Sequence, residues 1–251
     1  MPRFSSAGIG IEYLDEGEGP PVLLVHGFAS NHVVNWVNTS WTRTLVRSGR
    51  RVIAIDNRGH GASEKLYEPE QYNTRLMAED TVRLMDHLGL GAAAVMGYSM
   101  GARISAFAAL AAPDRVSALV LSGLAANLVH GVGGGPLIAA ALEAPSLDGV
   151  TDPGARAFRV FADQTKSDRK ALAACIRASR QTLSASDVAG IRAPTLVVVG
   201  SDDAISGSAD ELAAMIPGAQ AVTLPGRDHM TAVGDRGHKE AVLSFLDEWL
   251  P

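Results

Sequence analysis

Four short, almost uninterrupted apolar runs constrain this chain most: Val22–Val25, Ala92–Met96, Ala118–Leu121 and Thr195–Val199. A strand with one wet face alternates apolar and polar residues. These runs do not alternate, so they predict a parallel sheet covered by helices on both faces. Ile9–Leu14, Arg51–Ile55 and Ala221–Leu224 are further strand candidates, the first followed by the dense turn signal Asp15–Pro21. Tyr72–Leu88 spaces Leu76, Met77, Leu84 and Leu88 as an amphipathic helix does. Helices are also expected over Trp36–Val46, from Ser99 to Ala112 before the stop at Pro113, and from His238 to Leu250.

The irregular stretch lies between the third and fourth apolar runs. Residues 124–189 begin with the glycine-rich Gly131–Gly135 and hold one convincing helix at Leu172–Leu183, so they read as a small helical cap over one edge of the sheet. The core is then 1–123 and 190–251. A chain of 251 residues, 47% hydrophobic and 20% charged, suits one such α/β domain carrying an insertion.

Composition removes several classes of function. The net charge of −5 with dispersed basic residues leaves no footprint for nucleic acid. Cys175 is the sole cysteine, which excludes an intrachain disulfide framework and a site built on paired thiolates. No apolar run approaches the roughly 18 residues of a membrane span, and the start of the chain does not read as an export signal. A cytoplasmic protein without stable membrane insertion is expected. The seven histidines are scattered and no His-Glu-X-X-His occurs, so no metal is expected; Gly131–Gly135 lacks the pattern of a phosphate loop, so no cofactor is either.

One apolar run ends in chemistry. Gly97-Tyr98-Ser99-Met100-Gly101 sits between a strand and a helix, where small residues on either side of Ser99 allow a sharp turn with the hydroxyl at its apex. A serine hydroxyl is a weak nucleophile at neutral pH and needs a base, itself oriented by an acid. Asp202 and Asp203 follow the Thr195–Val199 strand and His229 follows the last one. Parallel neighbours would bring these loops to the carboxyl end of the sheet, where α/β proteins hold ligands.

On these residues, with His26-Gly27-Phe28 and the turn Asp56-Asn57-Arg58-Gly59-His60-Gly61, the chain resembles the α/β-hydrolase superfamily, within its broad group of small serine esterases, lipases and C–C bond hydrolases. The resemblance covers nearly the whole chain. It implies Ser99 as nucleophile, Asp203 as the acid and His229 as the base, with Asp202 the rival acid. It also implies the Phe28 and Met100 backbone N–H groups as the oxyanion donors. Asp203 is not followed by the proline often found a few residues later in the family. His26 is expected to shape the oxyanion loop, His60 to support its own turn, and His238 to be solvated or to cap the last helix.

The resemblance implies a small-molecule acyl substrate and water as partners, with carboxylic-ester hydrolysis as the broadest reading. Epoxide- and halide-processing members use an aspartate nucleophile where this chain has Ser99. C–C bond cleavage and perhydrolase or haloperoxidase-like chemistry are alternatives, and a noncatalytic ligand receptor or interaction protein on the same scaffold is the rival from another class. Tyr98, Leu124 and Leu128 are pocket candidates, although cap leucines also serve simply to bury the cap. Arg103, Arg159 and Asn127 could meet a polar substrate, but no motif fixes them there.

Overall fold

The computed structural model describes residues 1–250. Its strands are β1 (Arg3–Ser6), β2 (Ile9–Glu16), β3 (Pro21–Val25), β4 (Arg51–Ile55), β5 (Ala93–Tyr98), β6 (Val116–Ser122), β7 (Thr195–Gly200) and β8 (Gln220–Leu224). They form one sheet in the order β1-β2-β4-β3-β5-β6-β7-β8. The pairings from β4 to β8 are parallel, and β2 runs antiparallel to both β1 and β4. All residues of β5 and β7 are buried, as expected for strands packed on both faces.

The helices are α1 (Trp41–Arg47), α2 (Thr74–His87), α3 (Met100–Ala111), α4 (Asn127–His130), α5 (Gly135–Glu143), α6 (Pro153–Gln164), α7 (Arg169–Ala178), α8 (Ala185–Ala189), α9 (Ala209–Met215) and α10 (Arg236–Trp249). Strand side chains alternate between two cores, following the two-residue period of a strand. Leu23, Val95, Leu119 and Val197 share one core with Met77, Leu84, Ile104 and Phe107 of α2 and α3. Leu24, Met96, Val120 and Val198 share the other with Trp41, Leu45, Val242 and Phe245 of α1 and α10. Each fully buried Val, Leu or Phe contributes about 1.5–3 kcal/mol relative to exposure. Helices α4–α8 leave the sheet after β6 and return at β7, forming the cap over its carboxyl end.

The structure differs from the sequence expectation in three places. The stretch Trp36–Val46 is not one helix: a π-turn at Val33–Val37 and α1 are separated by Ser40, with φ of 66°. On a continuous α-helix, residues five apart point about 140° from each other. The break lets Trp36 and Trp41 meet edge to face at 6.3 Å, both fully buried, and the Thr39 hydroxyl donates to the Asn35 carbonyl at 2.6 Å beside it. The helix expected to reach Leu183 ends at Ala178. Beyond it the Ser179 carbonyl accepts from the Thr74 hydroxyl, and the Leu183 N–H donates to the Leu128 carbonyl, so tertiary bonds replace helical ones. Finally, β1 was not expected; Ala7 and Gly8, both at positive φ, make the two-residue turn that pairs it with β2.

Candidate active site

Ser99 stands between β5 and α3 with φ 56° and ψ −114°, a conformation costing on the order of 1–3 kcal/mol for a residue with a side chain. The turn is held from both sides: the Ser99 N–H donates to the Ser122 carbonyl of β6 at 2.8 Å, and its own carbonyl accepts from Ala102 and Arg103 in α3. A Cβ at Gly97 would strike the Gly101 carbonyl, and one at Gly101 would strike the Val25 carbonyl of β3. The two glycines are therefore demanded by backbone-to-backbone approach across the elbow.

The loops after β7 and β8 meet the elbow. His229 Nε2 lies 3.0 Å from Ser99 Oγ, and its Nδ1 lies 2.8 Å from Asp203 Oδ2. A carboxylate only accepts, so Nδ1 carries the proton and Nε2 presents its lone pair to the serine hydroxyl. Burial pushes the Asp203 carboxyl up, but the hydrogen bond and charge of His229, with the Ser206 hydroxyl and the Ile205 N–H, outweigh it and hold the group below the usual carboxylate range. The adjacent Asp202 is exposed and accepts from Ser201, away from the imidazole. His229 is fixed by its backbone as well: the Tyr98 hydroxyl donates to its carbonyl at 2.6 Å.

The loop after β3 faces the serine from the other side. His26 is fully buried, which pushes its imidazole down to about 4, so it is neutral. Its Nδ1 donates to the Gly27 carbonyl at 2.7 Å and its Nε2 accepts from the Asn57 N–H at 3.0 Å. Carbonyl and N–H point opposite ways across a planar peptide, so holding the Gly27 carbonyl also fixes the direction of the Phe28 N–H. Among the described residues, neither the Phe28 nor the Met100 N–H has a protein acceptor. Burial pushes His60 down to about 3; its Nδ1 donates to the Arg58 carbonyl.

A narrow cleft of about 40 Å³ opens at Ser99 between core and cap. Phe28, Leu124, Phe158 and Ile176 give it an apolar wall, and the guanidiniums of Arg103 and Arg180 give it charge. Tyr98 and Leu128 are not part of its lining. The first is buried against His229, with ring centroids 5.5 Å apart, and Leu128 sits in the core. Arg159 is buried inside the cap, bonded to the Ala141 and Ala144 carbonyls and to Asp163. Asn127 donates to the Ile205 carbonyl, tying the cap's first helix to the acid loop.

His238 is neither solvated nor a cap. It is 1% exposed, hydrogen-bonded to the Ser122 hydroxyl and the Ala232 carbonyl, and burial pushes it down to about 4. Arg180 escaped the sequence reading. It lies two residues beyond the end of α7 at Ala178, outside the helical period, and lines the same cleft as Ile176. Among the described residues no group of three or more His, Cys, Asp or Glu is placed to hold a metal ion, and no helix is long and apolar enough to cross a membrane.

Comparison with known proteins agrees with this architecture. A protein-family model described as "alpha/beta hydrolase fold" matches residues 20–134. Bifunctional epoxide hydrolase 2 of Sus scrofa is 33% identical over 115 residues, 45% of this chain but 20% of the relative. Against the curated relatives the chain spans only 20% to 59% of their own lengths. The crystal structure of a hydrolase from Pseudomonas aeruginosa PA01 is similar over 98% of this chain and 97% of its own, with a TM-score of 0.81 and 29% identity. A meta-cleavage product hydrolase from Pseudomonas fluorescens IP01, complexed with acetates, is similar over 99% and 98%, with a TM-score of 0.79 and 25% identity. With the strand order, the turn after β5 and these likenesses in agreement, the chain belongs to the α/β-hydrolase superfamily.

Proposed function

We propose that the chain is a serine hydrolase that transfers an acyl group to water through Ser99. The observation that carries this reading is the relay from Ser99 Oγ through His229 to Asp203, with distances of 3.0 and 2.8 Å, on a strained turn. His229 accepts the Ser99 proton as the oxygen attacks a carbonyl carbon. The oxyanion that forms draws on the Phe28 and Met100 N–H groups. Collapse expels the leaving group, which takes the proton from His229, and water activated by the same imidazole releases the acid. Asp203 keeps the imidazole in the useful tautomer and stabilises its charged form.

The bond cut is, in this reading, a C–C bond of a vinylogous diketone that carries a carboxylate. Arg103 and Arg180 both line the cleft, and their hydrogen bonds go to backbone carbonyls: Gln181 for the first, Val132 and Gly133 for the second. Burial and the charge of Arg180 push Arg103 down to about 10, so it stays protonated at neutral pH. Among the described residues no acid lines the cleft. A substrate carboxylate would offset the two like charges, and a guanidinium would stabilise the enolate that leaves when the C–C bond breaks. The similarity to a meta-cleavage product hydrolase supports the same choice. The second reading, hydrolysis of a carboxylic ester, is favoured by the apolar wall of Leu124, Phe158 and Ile176.

The test is steady-state turnover of dienone carboxylates and of neutral short-chain esters by wild type, Ser99→Ala and Arg180→Gln. Ser99-dependent turnover that prefers the dienone acid, with the preference lost in Arg180→Gln, supports the C–C reading. Faster turnover of neutral esters selects the second reading. Undiminished turnover by folded Ser99→Ala would remove both.

A further inference from the structure

The oxyanion loop is gripped by the core on one side of Phe28 and by the cap on the other. On the core side, Asn35 Oδ1 accepts from the Gly27 N–H at 3.1 Å, and His26 holds the Gly27 carbonyl. On the far side stands Ala29, fully buried and at φ 59°, a left-handed conformation that an alanine keeps only when its surroundings impose it. Its carbonyl lies 3.1 Å from the Thr165 hydroxyl, which is also 3.0 Å from the Phe161 carbonyl of α6, and 3.5 Å from the Ser167 hydroxyl; the two hydroxyls are themselves 2.9 Å apart. Both belong to the turn that ends α6. The Phe28 ring repeats the pattern, edge-on to His60 of the core at 5.9 Å and to Phe158 of α6 at 5.8 Å.

We infer that α6 is a positioning element for acyl transfer: Thr165 and Ser167 hold Ala29 in its left-handed state and Phe158 holds the Phe28 ring. The core aims the Phe28 N–H through the Gly27 carbonyl, and the seated cap holds the Phe28 ring and the Ala29 peptide that follow, so that the N–H keeps the position the oxyanion needs. The inference rests on the proposed role of the Phe28 N–H. Thr165 and Ser167 do not line the cleft, so they reach the reacting atoms only through Ala29. Removing both hydroxyls lets the Phe28–Ala29 segment turn, which loses transition-state stabilisation while leaving the groups that contact bound substrate in place.

The test is the Thr165→Val/Ser167→Ala double variant, with Phe158→Ala and its conservative partner Phe158→Leu. For the double variant, kcat on an activated ester should fall on the order of 10–100-fold, the range for a small misplacement of a catalytic group. KM should stay within about twofold, and the affinity of a boronate analogue of the tetrahedral intermediate should fall by the same factor as kcat. Phe158→Leu should recover much of what Phe158→Ala loses. Amide hydrogen exchange over residues 26–31 should accelerate in the double variant, a readout that needs no turnover. Unchanged exchange in the double variant, or wild-type kcat with wild-type boronate affinity, overturns the inference. Absence of turnover and of fluorophosphonate labelling in wild type would instead sink the hydrolase reading, and the exchange result would still decide whether α6 orders the loop.

Discussion

The Tyr98 hydroxyl donates to the backbone carbonyl of His229 at 2.6 Å, so the residue before Ser99 anchors the residue that would activate it in the proposed mechanism. The ring is 4% exposed, and burial, with the nearby Asp203 and Asp228 charges, pushes the phenol up; it remains a donor across the usable pH range. Tyr98→Phe leaves the ring packing and removes only this bond. The expected cost is about 1 kcal/mol of stability, together with a several-fold fall in kcat as the His229 loop loosens. Urea denaturation and single-turnover acylation measure the two separately. An unchanged acylation rate would show that Asp203 alone holds the imidazole in place.

Asp203 and Asp202 are neighbours in sequence with different surroundings. Asp203 Oδ2 meets both His229 and Ser206, while Asp202 is bonded to Ser201 in solvent. Asp203→Asn should lower kcat on the order of 10³–10⁴-fold, because an amide nitrogen facing Nδ1 favours the wrong tautomer. Asp202→Asn should stay within about twofold of wild type. Rate measurements on the two folded variants check the assignment, and equal effects would refute it.

The sheet could be read from sequence because its central strands are buried on both faces, and burial writes itself as an uninterrupted apolar run. The sharp turn at Ser99 was legible for a related reason: backbone contact at Gly97 and Gly101 admits no side chain, and that constraint is written in the residue type. Arg180 and His238 were not legible. Each owes its surroundings to a distant segment, Val132 and Gly133 for the arginine and Ser122 and Ala232 for the histidine, and no local pattern marks such a meeting. The break between Trp36 and Trp41 was hidden likewise, since the spacing suits a helix until both indoles must enter one core.

Asp80 binds Arg58 through both carboxylate oxygens, at 2.7 Å to Nε and to Nη2, and accepts from the Ser6 hydroxyl at 2.5 Å; all three residues are buried. Asp80→Ala would leave the Arg58 charge buried and unpaired, at a cost of about 3–5 kcal/mol. The side-chain links from this pair run to β1 and to the Gln71 carbonyl, and only the Arg58 backbone carbonyl, bonded to His60, points the pair toward the cleft. The variant should therefore show a large drop in denaturation midpoint with kcat of the folded fraction within about threefold of wild type. A larger loss of kcat at conditions where the protein is fully folded would mean that the Arg58 turn transmits to the active site.

Acid should unfold this protein earlier than its carboxylates alone require. His26, His60 and His238 are buried and neutral, with burial the largest cause of their lowered values of about 4, 3 and 4. An unfolded histidine titrates near 6.5. Between that value and the folded ones, the unfolded chain binds protons that the folded chain refuses, so stability is complete above about pH 6.5 and falls as pH drops toward 4. Each group contributes a slope of up to about 1.4 kcal/mol per pH unit in that window. Asp203, held below the usual carboxylate range, adds its own loss only at lower pH. Replacing His238 by Gln keeps a donor and an acceptor near Ser122 and Ala232 while removing one titrating group. Urea midpoints at pH 7.5, 6 and 5 should decline steeply for wild type and less steeply for His238→Gln. Parallel declines for the two proteins would show that His238 takes up its proton in the folded state and that its burial does not set the acid limit.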